Sequence, residues 1–445
     1  LGSIEHIDCP KAKTLPAINQ PFFGKCRLDL AIHPKSLTVV TRPFSFPIVV
    51  LNLLKKEIMR RYDLDWLRVI VFGLLIFYHV GMFFVPWGWH IKNDIIYPEL
   101  RWPMLFVNQW RLSILFVISG MGTYYALSRR SGVQFTGERI KRLFIPLVFG
   151  MVFIVPPQVY FERLDKGQFM GGYLDFWPAH ALNGVYPQGN LSWHHLWFLP
   201  YLLAFSLLLL PVFVYLRNHP QAKLLNWVRT WASRPVGLFW LVIPLYFWES
   251  LVEPFFESTH AFVGDWFNLI NYGTLFFYGF LLISVRDEFW KTVQVNRRKF
   301  LYLGIVAFLL MVGLRQVYED STVIHFMEAI FKVLNTWAWI MTLFGYAAAY
   351  LNRPSKALSY ANEAVYPFYI LHQTITISLG YLVMHWDWSL GAKFAFMSLG
   401  TFGVAWVLYE CGIRRWDWIR PLFGLKGKRP GKQQFQHYVK IETVK

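Results

Sequence analysis

Three consecutive cations, Arg297, Arg298 and Lys299, give way to FLYLGIVAFLLMVGL (Phe300–Leu314), fifteen residues without a charge. A bilayer core about 30 Å thick requires roughly 20 predominantly apolar residues per helix, and this run supplies most of one. LFFYGFLLIS (Leu275–Ser284) lies just upstream, across the charged segment 286–299. Reading outward from this pair, ten such stretches recur: 67–88, 104–127, 143–161, 195–216, 236–256, 268–285, 300–317, 325–351, 364–385 and 392–413. The fifth is the least apolar, since Glu249 and Glu253 sit in its last turns. Prolines inside the stretches, such as Pro146 and Pro367, are compatible with spanning where neighbouring helices cover the freed carbonyls.

The connecting segments test this count. Segments 128–142, 217–235, 286–299 and 352–362 together carry sixteen basic residues and three acids. The alternate segments 89–103, 162–192, 249–266, 315–323 and 386–393 carry six basic residues against twelve acids. The stretch before the first span reads KKEIMRR, and 412–445 holds nine basic residues and two acids. Lys and Arg accumulate on the cytoplasmic side of membrane proteins. The pattern therefore predicts an all-α polytopic membrane protein with about ten transmembrane helices and both termini cytoplasmic.

Composition agrees. The 445 residues are 55% hydrophobic and only 16% charged, yet the net charge is +18. A soluble chain of this length would carry a far more charged surface. Such a charge also raises nucleic-acid binding, but its confinement to one side accounts for it without nucleic acid. Cys9, Cys26 and Cys411 are too few and scattered for a disulfide framework or a cysteine-based zinc site, and no metal-binding cluster is expected. Residues 1–58 lack a spanning run and the features of a secretory signal. They are expected to be a poorly ordered extension, with Met59 a candidate natural start; a genuine cytoplasmic extension is the alternative. Residues 59–415 would form the membrane domain and 416–445 a basic cytoplasmic tail.

Ionisable side chains are costly at membrane depth, so each one inside a span is a functional candidate. Arg68 and His79 are eleven residues apart in the first span. Eleven residues advance a helix by about 16 Å and return to within roughly 20° of the same face. The two should line one groove, with the imidazole deeper and able to exchange a proton near neutral pH. A structural histidine bonded to a neighbouring helix is the plainer reading. Arg139 and Arg142 close a cytoplasmic segment as ERIKRLFIP (Glu138–Pro146) and share a helical face. Forked guanidinium donors there suit a phosphate-bearing cytosolic ligand, while topological anchoring is the bland alternative.

Span nine, EAVYPFYILHQTI, brings His372 and Gln373 to a depth near His79, and two imidazoles at one depth suggest a polar cavity. In span eight Glu328 and Lys332 stand four apart and are expected to neutralise each other. Asn108, Gln109 and Arg111 predict a polar vestibule on the far side. The outer segments, with LSWHHLWFL (Leu191–Leu199) and the carboxylates Glu253, Glu257 and Asp265, could hold sugar rings and hydroxyls. Most of the 21 tryptophans are better explained as an interfacial belt.

Several of these stretches together resemble the membrane-bound acyltransferase family 3. They are LDWLR with His79 eleven residues beyond its arginine, FVISGM (Phe116–Met121), R-x-x-R followed by proline, HLWFL and YILHQ. The resemblance covers about residues 59–415 and is carried by the order and spacing of the motifs, within which members acting on glucans and surface polysaccharides are nearest in flavour. One departure is VYPFYILH, where many members read as SYGIYLLH. The resemblance implies a multi-pass protein of the plasma (bacterial inner) membrane. It would transfer an acyl group, commonly acetyl or succinyl, from cytosolic acyl-CoA to a hydroxyl of an extracytoplasmic or lipid-linked glycan. It carries the family's functional arginine and histidine onto Arg68 and His79, its arginine pair onto Arg139 and Arg142, and its late histidine onto His372.

The residues fit that chemistry. Arg68, Arg139 and Arg142 would dock the anionic donor as its cofactor-binding set, and the thin pantetheine arm would carry the thioester inward. His79 would serve as general base, a role worth about 100- to 10,000-fold; an acyl-histidine intermediate stays open. Ser119–Gly120 would permit close helix packing. The competing class is a secondary transporter or flippase for a sugar-like or lipid-linked solute. That class fits the span count but predicts paired broken helices and matching halves, which the sequence lacks.

Overall fold

The computed structural model describes residues 61–318 and 321–427. Among them helix is the only regular structure apart from one isolated bridge between Val185 and Leu191. Besides a short helix at Tyr173–Ala179, the helices in chain order are α1 (Tyr62–Met82), α2 (Arg101–Leu127), α3 (Gly132–Asp165), α4 (His194–Leu208) and α5 (Leu210–Asn218). They continue with α6 (Lys223–Ala232), α7 (Val236–Phe255), α8 (Trp266–Ser284), α9 (Arg286–Val317), α10 (Thr322–Tyr350), α11 (Lys356–Val383) and α12 (Leu390–Ile413).

Seven of these, α1, α2, α3, α7, α8, α9 and α12, are long and apolar enough to cross a membrane. α4 and α5 qualify together as one span bent by 50°. The bend falls where Pro211 removes an amide from the first turn of α5. The two remaining expected spans coincide with α10 and α11, whose polar side chains (Glu328, Lys332 and Asn335; Glu363, His372 and Gln373) lower their hydropathy.

Local chemistry accounts for the helix ends. Ser321, Ser355 and Ser389 each accept a bond from the amide three residues on, capping α10, α11 and α12. Ser131 and Gln134 form a reciprocal capping box at the start of α3. α3 then widens into two π-helical turns, Ile140–Phe144 and Gly150–Ile154, on either side of Pro146. α1 ends at Met82, six residues short of the expected 88, so His79 lies in its last turn. Lys92 folds back and donates to the carbonyls of Met82 and Val85, both at 2.6 Å, satisfying that end.

α2 and α8 pack backbone against backbone. A Cβ on Gly120 would lie 1.9 Å from the Phe276 carbonyl oxygen, and one on Gly279 would lie 2.0 Å from that of Val117. The two backbones are therefore in contact, as the small residue at 120 suggested. α11 packs against both α1 and α12. After α12 a short turn, Arg420–Phe423, folds back onto α11, where Arg420 meets Glu363 at 2.8 Å and Phe423 is buried. The expectations for residues 1–58, the Met59 start and residues 428–445 lie outside the described residues.

One expected pair does not form. Lys332 turns to Glu249 of α7, and Glu328 is taken by Arg315 of α9. An i,i+4 pair gains only a few tenths of a kcal/mol. Buried Glu249 offers Lys332 a larger gain, because a carboxylate left unpaired inside is costly.

Candidate active site

The eleven-residue spacing in α1 does what helical geometry dictates, and the shared face packs on α11. Arg68 donates to Asn362 Oδ1 at 3.1 Å and His79 Nδ1 lies 2.7 Å from His372 Nε2. The two imidazoles are parallel within 6°, 4.9 Å between centroids. His372 is fully buried.

The partners fix the tautomers. His372 Nδ1 lies 2.7 Å from the Tyr369 carbonyl, which can only accept, so that nitrogen carries the proton. His372 Nε2 is then the bare nitrogen and accepts from His79 Nδ1–H. His79 Nε2 is left as a lone pair, the form a general base requires. Trp89 stacks at 5.3 Å on the same imidazole.

A second network runs beside the first. His195 Nε2 donates to the Ile370 carbonyl at 3.0 Å, and its Nδ1 faces the Gln158 amide at 3.3 Å. Gln373 donates to Gln158 Oε1 at 3.0 Å and to His90 Nε2 at 3.2 Å. His90 Nδ1–H completes the line on Glu162, at 2.5 Å. Glu162 is buried and also receives Lys166 at 2.6 Å and the Tyr186 hydroxyl at 3.0 Å. Burial pushes Tyr186 up to about 12, with the Glu162 carboxylate adding to it, so the phenol stays a donor. His90, Gln158 and Glu162 were not singled out from sequence. Their signal is faint: an amide and a carboxylate at the end of an otherwise apolar PPQVYFE.

His79, His90, His194 and His195 line a cavity of about 1150 Å³, which extends past Asn108, Gln109 and Arg111 of α2. The polar vestibule expected of α2 is thus a wall of this cavity. Glu249, Lys332 and His260 lie on its other sides. His260 packs over Trp197 at 4.1 Å, and burial lowers its pKa to about 4.

Arg68, Arg139 and Arg142 do not line the cavity. They gather at the end of the bundle where α1, α3 and α11 begin, within electrostatic reach of one another. Arg68 also meets Asp65 at 3.3 Å, and Arg139 donates to Thr123 Oγ1 at 3.0 Å. Arg142 reaches the Gly424 carbonyl at 3.2 Å while Tyr366 donates to its backbone oxygen at 2.8 Å. Arg142 stays exposed and Arg68 and Arg139 partly so, which leaves guanidinium surface for an anion. The structure therefore gathers the five sequence candidates into two groups, His79 with His372 and Arg68 with Arg139 and Arg142.

A chain whose described residues are helical, apolar in most of the long helices and with paired imidazoles at an internal cavity, is a multi-pass membrane protein with a built polar site. The model of the acyltransferase domain family matches residues 61–410, and the chain belongs to that family. It is 25% identical over 369 residues to glucans biosynthesis protein C of Escherichia coli (strain SMS-3-5 / SECEC), covering 80% of this chain and 92% of the relative. The protein of the same name from Escherichia coli O139:H28 (strain E24377A / ETEC) is 24% identical with the same coverage. The chain is thus a membrane acyltransferase, and the transporter reading gives way to an enzyme.

Proposed function

We propose that the protein is an O-acyltransferase of the plasma (bacterial inner) membrane. It would have ten spans and cytoplasmic termini, moving an acetyl- or succinyl-type group from cytosolic acyl-CoA to a hydroxyl of an extracytoplasmic or lipid-linked glycan. The observation that carries the reading is the His79–His372 pair at the cavity wall, with one bare imidazole nitrogen. His79 Nε2 takes the proton of the acceptor hydroxyl as its oxygen attacks the thioester carbonyl. The new C–O bond forms, the C–S bond breaks, and the proton returns from His79 to the departing thiolate, giving free CoA and neutral imidazole. His372 holds the His79 tautomer and shares the positive charge while His79 is protonated, so its role is positioning.

Arg68, Arg139 and Arg142 bind the phosphates of CoA at the other end. Their clustering on the side that carries the basic segments supports a cytosolic donor, and guanidiniums suit phosphate oxygens. The name of the relatives supports a glucan-type acceptor, and the aromatic and amide lining of the cavity suits hydroxyls and ring faces.

The test is transfer from labelled acyl-CoA in vesicles of both orientations. Activity is expected in inverted vesicles, absent from sealed right-side-out ones, and reduced about 100- to 10,000-fold in His79→Ala. Full activity in that variant would remove His79 from the mechanism.

A further inference from the structure

Among the described residues three cations are nearly fully buried: Arg111, Lys393 and Arg420. Lys393 donates to Asn93 Oδ1 at 2.6 Å and to the Met384 carbonyl at 2.9 Å, and Arg420 is paired with Glu363. Arg111 is different. It is 4% exposed; Nη2 donates to Asn108 Oδ1 at 3.2 Å, and the Tyr78 side chain lies within hydrogen-bonding reach. Nε and Nη1 have no partner. The guanidinium lies over the Tyr78 ring, 3.5 Å from its centroid.

A guanidinium cannot shed its charge inside a protein, and an uncompensated buried charge works against folding. No carboxylate among the described residues offsets this one. Glu249, which shares the cavity wall, is committed to Lys332. The Tyr78 face supplies a weaker cation–π attraction. Arg111 also lies within electrostatic reach of both His79 and His372. Its unpartnered donors therefore belong to the cavity beside the imidazoles, remote from the cytoplasmic arginines.

We propose that Arg111 is the docking residue of an anion subsite in this cavity, taking a carboxylate or phosphate oxygen carried by one of the two substrates. The proposal builds on the acyltransferase reading, which supplies two sources for the anion: the acyl chain and the acceptor. Docking there would hold the substrate against His79 through a charge-assisted bond, the stronger kind. The charge left unpaired in the free enzyme then serves binding rather than stability.

Arg111→Met separates the two roles. In the ligand-free, detergent-purified protein it is expected to leave Tm unchanged or raise it. Succinate or inorganic phosphate at millimolar concentration should raise Tm of the wild type and not of Arg111→Met. Turnover should fall about 10- to 100-fold in the variant, the loss of a charge-assisted bond. The source is read with succinyl-CoA and butyryl-CoA, which share a four-carbon acyl chain and differ in its terminal carboxylate. A wild-type preference for succinyl-CoA that vanishes in Arg111→Met assigns the anion to the acyl chain. Equal losses on both thioesters with a raised acceptor KM assign it to the acceptor.

The proposal is overturned if neither anion shifts the wild type or both shift the two proteins alike. It is equally overturned if Arg111→Met lowers the ligand-free Tm and Arg111→Lys restores it, which marks a structural cation. If the wild type turns over no thioester, the acyltransferase reading fails, and the Tm arm still decides the subsite.

Discussion

Replacing His372 by alanine tests the assignment of roles between the two imidazoles. The Tyr369 carbonyl, at 2.7 Å, fixes the His372 proton on Nδ1, and the 2.7 Å contact onward fixes the His79 proton on its own Nδ1. As His79 takes up a proton in the transition state, that contact becomes a hydrogen bond from a cation. Such a bond contributes about 1.5 to 3 kcal/mol, against about 0.5 to 1.5 kcal/mol for a neutral one. The neutral bond is lost from the ground state as well, so only the difference, about 1 to 1.5 kcal/mol, slows transfer, about 5- to 13-fold at 1.36 kcal/mol per factor of ten. Removing His79 itself removes the base, about 2.7 to 5.5 kcal/mol. His372→Ala should therefore lie between wild type and His79→Ala. His372→Gln, whose amide oxygen can still accept from His79, should recover part of the loss.

The assay is acyl transfer from labelled acyl-CoA under single-turnover conditions, with thermal unfolding of each variant alongside. The double variant is the sharpest reading. If His372 acts through His79, His79→Ala/His372→Ala is no slower than His79→Ala alone. Losses that multiply would refute the coupling and make the late histidine an independent participant.

Lys332→Ala should destabilise the fold by about 3 kcal/mol or more, since it strands a buried Glu249 carboxylate. Adding Glu249→Gln should return most of the thermal stability, and no rescue would mean the pair matters for another reason. Gly120→Val should abolish folded protein on size exclusion, because even a Cβ there would lie 1.9 Å from the Phe276 carbonyl oxygen and overpacking costs about 1 to 3 kcal/mol before that. Normal expression of this variant would contradict the close α2–α8 contact. His260, depressed to about 4 by burial, contributes stability that is whole above its unfolded value near 6.5 and is lost as pH falls toward 4. Wild type should therefore lose Tm relative to His260→Gln between pH 6.5 and 4, and parallel curves would exclude the effect. Arg139→Ala/Arg142→Ala should raise KM for acyl-CoA about tenfold or more with a smaller change in kcat, as for lost ground-state binding; an unchanged KM would remove the pair from donor docking.

Much of this was legible because the signals are additive or periodic. Hydropathy sums over a window, so the seven helices apolar enough to span, and the bent α4–α5 pair, could be located from it. The eleven-residue interval is a multiple of the helical repeat, so Arg68 and His79 were bound to face one neighbour. Partner choice across helices is neither additive nor periodic. Glu328 and Lys332 look paired in one dimension, yet Arg315 and Glu249 arrive from α9 and α7 and take them. His90 and Glu162 are 72 residues apart in segments that read as outer loops. Their dyad exists because the chain after α1 turns inward, burying Phe83, Phe84 and Val85 against a Lys92 cap that no periodicity signals.

The separation of the two polar ends restricts how the reaction can proceed. Tyr366, Tyr369 and His372 follow one another along α11 at three-residue intervals, with centroids 6.2 and 6.1 Å apart, and His79 continues the line at 4.9 Å. Tyr366 bonds the backbone of Arg142, so this column of rings joins the arginine end to the base. None of the three arginines lines the cavity. In the proposed reaction, a donor whose phosphates stay with Arg68, Arg139 and Arg142 would have to reach His79 by an extended arm. The proposed glycan acceptor would reach His79 through the cavity that this imidazole lines. On that proposal the two substrates would meet at His79 without either crossing the membrane.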